Sequence, residues 1–251
     1  MRTTGSGHRA SISAHRGGSE DALAGTLAAY QSAAGTGAEY VEFDIRRTSD
    51  DVYVVYHEDR ANHVGPLLSE LTYDELCREV GYSAPKVAEV MKIIACTAIG
   101  HLDLKQVGRE REVIEMALDI FGQGNFVATT LEDVSVAAIK HDFPYVRTAL
   151  SLGRDMAGKG HLLTARTRMS ELLPLSRIRN CGADWVAVNH KLAKLGVLRL
   201  CKANDIGVMV WTVNDDKRIK RLLADDRVDV LITDHPRRAV GIRSALSDYR
   251  P

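Results

Sequence analysis

The sequence predicts an α/β protein, a (β/α)8 barrel of the TIM type with a small hairpin or insertion after the second strand. Short apolar, β-branched runs recur along the 251 residues, and amphipathic stretches separate them. Eight such repeats are the number that closes a barrel of ordinary length. No proline- or serine-rich linker divides the chain, so we expect a single domain over residues 1–251. A doubly wound open sheet is the alternative that the same alternation allows.

The predicted strands share a short apolar run bounded by polar or glycine residues. They are 11–15, 40–46, 100–105, 126–130, 145–152, 184–189, 207–213 and 228–233. A further run, 52–57, follows the second strand across a polar turn and is expected to pair with it as a hairpin.

Amphipathic helices are predicted between the strands, at 109–121, 132–141, 192–204 and 215–224. In 192–204, the residues Leu192, Leu195, Leu198 and Cys201 repeat at helical spacing and are expected to face the core. The stretch 153–170 is polar and dotted with glycine, which favours a mobile loop over the barrel mouth.

Composition excludes several classes of protein. Lysine plus arginine and aspartate plus glutamate both number 33, and this balance argues against a nucleic-acid binder. Residues 1–10 lack the apolar core of a signal peptide, and no apolar run approaches the ~18 residues of a membrane span. The four cysteines show no CxxC pairing, so reduced thiols in a cytoplasmic protein are expected.

Side chains that can act in catalysis or bind a ligand lie at the ends of the first two predicted strands. His15 and Arg16 end the first, and two glycines follow them. Glu42 and Asp44 are separated by one residue on the second, so both point to the face opposite the apolar residues between and beside them. In a parallel barrel that face is the interior, where the two carboxylates need a cation or a basic partner. The plain alternative to a ligand site is a salt bridge to Arg46 or Arg16.

The same pattern continues along the chain. His57 closes the hairpin, and Asp103 and Lys105 alternate with leucines at the end of the third strand. Oxygen ligands suit one divalent ion, Mg²⁺ or Ca²⁺, rather than zinc. Two imidazoles suit general acid and base catalysis, and arginine and lysine suit a phosphate. Together these residue types indicate metal-assisted chemistry on a phosphoester.

Longer motifs extend this pattern over residues 14–236. The chain carries HRGG, then GAEYVEFDIRRTSDDVYVVYHED, then HLDLK, and later GVMVWTVND and VDVLITDHP. In this order they resemble the glycerophosphodiester phosphodiesterase family. The resemblance implies a TIM-barrel phosphodiesterase with one divalent metal and a small phosphodiester substrate. It implies Glu42, Asp44 and Asp103 as metal ligands, His15 and His57 as the acid–base pair, Arg16 and Lys105 as phosphate contacts, and Trp211 as a wall of the substrate pocket.

Two departures from the family pattern leave alternatives open. Leu23-Ala24-Gly25-Thr26 stands where the family has Pro-Glu-Asn-Thr, so polar support for the first loop is missing unless Glu20 or Asp21 supplies it. Asp103 stands where the family usually has glutamate, and Asp-x-Lys at this place is similar to sphingomyelinase D-like phospholipases, which release a cyclic phosphate. A hydrolase that opens the phosphate, a lyase that stops at the cyclic product, and a non-catalytic phosphodiester-binding barrel are the three readings. The oligomeric state is left open.

Overall fold

The computed structural model describes residues 9–154 and 160–248 and confirms the predicted barrel. Eight parallel strands form a closed ring, because the first strand pairs with both the second and the last. The ring consists of β1 (Ser11–Ala14), β2 (Tyr40–Arg47), β4 (Ile99–Leu104), β5 (Phe126–Thr130), β6 (Arg147–Leu152), β7 (Trp185–Asn189), β8 (Gly207–Trp211) and β9 (Val230–Thr233), with β3 (Tyr53–Val55) antiparallel to β2.

Helices follow the barrel strands in the order expected of this fold. They are α1 (Leu27–Ala33), α2 (Tyr73–Val80), α3 (Val87–Ala95), α4 (Glu110–Phe121), α5 (Asp133–Asp142), α6 (His161–Leu172), α7 (Leu175–Cys181), α8 (His190–Leu192), α9 (Leu198–Ala203), α10 (Asp216–Leu223) and α11 (Pro236–Asp248). Helices α1 to α10 lie in the connections between successive barrel strands, α2 within the insertion after β3, and α11 follows the last strand, β9.

Strand alternation separates the two faces of the barrel. On β2, Val41, Phe43 and Ile45 belong to the main apolar core, to which the helices contribute their apolar faces. Burial of each such side chain contributes about 1.5–3 kcal/mol, so this alternation fixes which face turns outward. The intervening Glu42 and Asp44 therefore point into the barrel.

The segment after β3 forms a small structure of its own near the mouth. Its apolar side chains make a separate buried cluster centred on Leu68 and Leu76. Thr72 and Glu75 form a capping box at the start of α2, and Gly81 ends this helix with φ of 78°. This segment is the insertion that the sequence predicts after the second barrel strand.

Two expectations about the helical layer are wrong. The stretch 153–170 is not a loop throughout, because α6 begins at His161; residues 155–159 of it lie outside the described residues. Leu195 does not face the core but is 65% exposed, because Gly196, with φ of 100°, breaks the predicted helix. Over the ranges that the structure describes, no helix combines the length and apolar character needed to cross a membrane.

Candidate active site

The chain turns sharply after β1 and presents two functional side chains at the barrel mouth. His15–Gly17 form a single 3-10 turn, in which Arg16 adopts a left-handed backbone with φ of 49°. Gly17 has φ of 80°, and a Cβ there would lie 2.8 Å from the carbonyl carbon of Ala29. Only glycine fits this approach to α1. The turn aims the Arg16 backbone N–H at Glu42 Oε2, to which it donates at 2.8 Å.

Three carboxylates meet at the same mouth. In the parallel pairing of β2 with β4, Asp44 lies directly beside Asp103, and Glu42 lies one inward position deeper. One oxygen from each of the three lies within 4.8 Å of the others. Glu42 and Asp44 are only 4% and 2% exposed. The structure therefore brings together the three carboxylates that the resemblance names.

Two cations neutralise part of this negative charge. Arg16 Nε lies 3.1 Å from Asp44 Oδ2, and Lys105 Nζ lies 2.9 Å from Asp44 Oδ1. Lys105 also donates a hydrogen bond to Asp103 Oδ2. The salt bridge to Arg16 considered from the sequence is thus present, whereas Arg46 instead donates from Nε to the backbone carbonyl of His57.

Burial and nearby charges shift the pKa values of the two β2 carboxylates in opposite directions. Burial, with the nearby charge of Asp44, raises the pKa of Glu42 to about 8. Burial also opposes ionisation of Asp44, but Lys105 and Arg16 outweigh it and lower the pKa of Asp44 to about 2. Lys105 is itself desolvated, yet Asp103 and Asp44 raise its pKa above the ordinary value. Among the ion pairs of the described residues, Glu42 is the one of the three carboxylates with no lysine or arginine partner, and its nearest basic group is His15.

The donor set fits a hard divalent ion. All three candidate ligands are carboxylates, the donors that Mg²⁺ and Ca²⁺ prefer. The buried Asp44 Oδ1 already has the Lys105 ammonium as a partner, at 2.9 Å. A divalent cation here would offset the remaining negative charge of the three carboxylates and would favour the ionised form of Glu42.

Each predicted histidine is paired with a carboxylate through Nδ1. His15 Nδ1 lies 2.6 Å from Asp234 Oδ1, and its Nε2 lies 4.0 Å from Glu42 Oε2. Burial alone would lower the pKa of His15, but Glu42 and Asp234 raise it. His57 Nδ1 lies 2.8 Å from Glu58 Oε1, yet burial lowers the pKa of His57.

Comparison with known proteins identifies the family of this chain. Residues 15–238 match the model of the glycerophosphoryl diester phosphodiesterase family. The chain belongs to this family. It is accordingly a phosphoric diester hydrolase, as its motifs imply.

Individual relatives agree over nearly the whole length. A glycerophosphodiester phosphodiesterase of Bacillus altitudinis is 25% identical in an alignment of 255 positions, gaps included, that spans 94% of this chain and 98% of that protein. Among solved structures, a glycerophosphodiester phosphodiesterase from Parabacteroides distasonis is similar with a TM-score of 0.77 at 20% identity, covering 96% of this chain and all of that one. A phosphodiesterase from Oleispira antarctica, solved with the product sn-glycerol-3-phosphate, has a TM-score of 0.72 at 19% identity and covers 95% and 97%.

The first loop shows how this family member replaces the polar residues that its sequence lacks. Glu20 accepts hydrogen bonds from the backbone N–H groups of Arg237 and Arg238 at the start of α11, at 2.8 and 3.0 Å. Asp21 accepts from the hydroxyl of Ser32 and from the Arg237 guanidinium. These two carboxylates tie the loop to α1 and α11.

Two site residues that sequence reasoning missed support the histidines. They are Asp234, which pairs with His15, and Glu58, which pairs with His57. Asp234 is held in turn by Asn214, whose Nδ2 donates to Oδ2 at 2.5 Å and whose Oδ1 accepts from the Asp234 backbone at 3.0 Å. The position of Asp234 just after β9, at the same mouth as His15, was the available signal.

Trp211 lies at the end of β8 across the barrel from the carboxylates. Its Nε1 donates to the carbonyl of Ala187 at 2.9 Å, which fixes the ring. Gly153, after β6, allows the chain to pass beside this ring and Asn189, because a Cβ there would lie 3.2 and 2.6 Å from their atoms. The structure thus places an aromatic surface on the side of the mouth formed by β6, β7 and β8.

Proposed function

We propose that the protein hydrolyses a glycerophosphodiester, or a similar small phosphodiester, to a phosphomonoester and an alcohol with one divalent metal ion. The observation that carries the proposal is the group of three carboxylates whose oxygens lie within 4.8 Å of one another, beside two histidines that are each paired with a further carboxylate. Glu42, Asp44 and Asp103 would hold the ion, Mg²⁺ or Ca²⁺, which when bound neutralises charge on the phosphate. The family and the sn-glycerol-3-phosphate bound by the Oleispira antarctica enzyme support the substrate class.

Arg16 and Lys105 supply the phosphate contacts in this proposal. Both already pair with Asp44, so each can hold a phosphate oxygen at the border of the carboxylate group. Because Lys105 also bonds to Asp103, its ammonium is fixed before substrate binds. Preorganised charge of this kind stabilises a transition state without further reorganisation.

The histidines divide the proton transfers according to their surroundings. Burial favours neutral His57, which can take the proton of a substrate hydroxyl adjacent to the phosphate. The carboxylates around His15 favour its charged form, which can protonate the departing alcohol as the phosphorus–oxygen bond breaks. Attack by the neighbouring hydroxyl forms a cyclic phosphate, and the two histidines then exchange roles while water opens it. This order assigns His57 as the first base and His15 as the first acid.

Turnover of a simple glycerophosphodiester by the purified chain with Mg²⁺ tests the activity. Phosphorus NMR of the reaction distinguishes the outcomes, because cyclic and opened phosphates have different resonances. We expect opened phosphomonoester as the final product. Accumulation of the cyclic phosphate alone would instead establish the lyase alternative that Asp103-x-Lys105 suggests. No turnover of any small phosphodiester with bound metal would leave a binding protein.

A further inference from the structure

A buried hydrogen-bonded chain lies directly beneath the candidate metal site and ends on Asp103. It consists of Ser13 on β1, His101 on β4 and Thr129 on β5, which are 0%, 2% and 1% exposed. His101 Nδ1 lies 3.0 Å from the Ser13 hydroxyl, and Nε2 lies 3.2 Å from the Thr129 hydroxyl. Thr129 Oγ1 in turn lies 2.9 Å from Asp103 Oδ1.

The single proton of the Thr129 hydroxyl decides the direction of this chain. Its candidate acceptors are Asp103 Oδ1 at 2.9 Å and the Leu102 carbonyl at 3.2 Å. The carboxylate is both nearer and charged, so it is the stronger acceptor. Since the hydroxyl proton points to Asp103, His101 must donate from Nε2 to the Thr129 oxygen. The Ser13 hydroxyl then donates to Nδ1 of the neutral ring, which leaves no ring nitrogen unsatisfied.

The strand register explains why these groups meet. Asp103 lies directly beside Thr129 in the pairing of β4 with β5, and His101 lies beside Val127 one inward position deeper. The Thr129 hydroxyl therefore reaches Asp103 across the strands and His101 along the diagonal. An apolar residue in place of Thr129 would leave Asp103 Oδ1 without this donor, and one in place of His101 would leave the Thr129 oxygen without its own donor.

We propose that His101 is a positioning residue, which through Thr129 orients the Asp103 carboxylate toward the metal. Thr129 holds Oδ1 and Lys105 holds Oδ2, so the carboxylate is fixed at both oxygens while each retains a lone pair for the ion. Groups that orient a ligand in this way typically change metal affinity about 10- to 100-fold when removed. The inference rests on the proposed metal site but not on the identity of the phosphodiester.

Calorimetric titration of Mg²⁺ into the purified full chain tests the proposal without substrate. Thr129→Val and His101→Leu, which remove the donor to Asp103 and the donor to Thr129, are expected to raise the Mg²⁺ dissociation constant about tenfold. His101→Gln, which retains a side-chain N–H, is expected to recover much of that affinity. Ser13→Ala should raise the Mg²⁺ dissociation constant by a smaller factor, since it removes only the hydroxyl that fixes the tautomer of the His101 ring.

Thr148→Val is the matched control. Thr148 is a fully buried threonine on the adjacent strand β6, and its hydroxyl lies 3.3 Å from Asp184 Oδ2, far from the carboxylate group along the strand. It should lower the unfolding temperature without changing Mg²⁺ affinity, whereas Thr129→Val should change both.

The outcomes separate the inference from the proposed function. Wild-type affinity for Mg²⁺ in folded Thr129→Val would overturn the positioning role, and this variant decides the matter if His101→Leu fails to fold. Equal weakening in Thr148→Val would likewise overturn it, because the effect would then be general destabilisation. A wild-type chain that binds no divalent ion would overturn the metal site itself and the inference with it. Weakened Mg²⁺ binding in a chain that turns over no glycerophosphodiester would support the inference while rejecting the function.

Discussion

The strands on one side of the barrel point ionisable side chains into its interior, whereas those on the other side point apolar ones. The first side, β2 and β4, presents Glu42, Asp44, His101 and Asp103. The second, β6 to β9, contributes Ala149, Ala187, Met209, Val230 and Ile232, which form most of the apolar interior cluster; Tyr40 of β2 and Val127 of β5 complete it at the level below the carboxylates, and Trp211 packs beside it. Both sides follow the same alternation of strand residues, so the difference is one of chemistry and not of backbone.

We expect the two sides to have different roles at the barrel mouth. Buried charges must be paired or held by a cation, so the ionic side is coupled internally and loses function when one member is removed. On the apolar side the interior cluster contains no charged residue among those that the structure describes, and we propose that this side contacts the less polar part of a ligand. We therefore expect changes on the ionic side to affect the chemical step and changes on the apolar side to affect binding.

Removal of the divalent ion should have the largest effect, because the whole ionic side depends on charge compensation. Dialysis against a strong chelator is expected to abolish turnover, and addition of Mg²⁺, Mn²⁺ or Ca²⁺ should restore it. Measurement of rates before and after reloading checks this, with dialysis against chelator already saturated by Ca²⁺ as the control. Full activity of the demonstrably metal-free chain would exclude the proposed role of the three carboxylates.

The two histidines should follow in size of effect. His15→Ala and His57→Ala are each expected to lower kcat by about 10²–10⁴, the scale of one acid or base group. His141→Ala is a matched control, because the side chain of His141 is 88% exposed. If either active-site variant folded and kept a near-native kcat, the role proposed for that histidine would be wrong.

Substitution of Asp103 tests whether it binds the metal ion together with Glu42 and Asp44. If Asp103 is a direct ligand, Asp103→Asn should weaken Mg²⁺ affinity and turnover together, by about 10- to 100-fold. Asp103→Glu should also lose activity, because its longer side chain would displace the ion from Glu42 and Asp44. Calorimetry and rates are measured on both variants. An unchanged metal affinity in Asp103→Asn would mean that Asp103 serves only to hold Lys105.

The barrel and its ionic side could be predicted from the sequence because both depend on local pattern. Alternation on β2 and β4 places Glu42, Asp44 and Asp103 on one face, and parallel strands bring their carboxyl ends to one mouth. The pairing of His15 with Asp234 could not be predicted in the same way. These residues are 219 positions apart, and their contact depends on ring closure between β1 and β9.

Local pattern also failed where backbone geometry outweighs apolar spacing. Leu195 fits the helical repeat, but Gly196 takes a left-handed conformation and turns the leucine to solvent. Helix α6 lies in a stretch whose polar composition favours a loop, and its order comes from tertiary contacts. Glu171, near its end, is 1% exposed and accepts hydrogen bonds from the backbone N–H groups of Gly153 and Arg154. Such contacts leave no periodic signal in the sequence.

Asp234 should show an intermediate effect with a distinctive pH dependence. Asp234→Asn removes a carboxylate that raises the pKa of His15, so His15 should lose its proton at lower pH than in the wild type. If His15 is the acid, the alkaline limb of the kcat/KM profile should move to lower pH, and kcat should fall about tenfold. An alkaline limb that stays in place would contradict this assignment, whereas Asp216→Asn, at the start of α10, serves as a surface control.

The smallest effect is expected on the apolar side. Trp211→Leu removes an aromatic surface that is fixed by its bond to the Ala187 carbonyl, but it removes no charge and no proton donor to the phosphate. An aromatic contact of about 0.5–1.5 kcal/mol corresponds to a KM raised roughly 2- to 13-fold with kcat nearly unchanged. Trp185→Leu is the matched control, since Trp185 borders the same interior cluster at the start of β7, away from the mouth. Steady-state kinetics on a series of phosphodiesters with different alcohols measure both variants. If Trp211 contacts the alcohol, Trp211→Leu should make the KM values of these substrates more alike. A decrease in kcat with unchanged KM would contradict this, because it would mean that Trp211 acts in the chemical step.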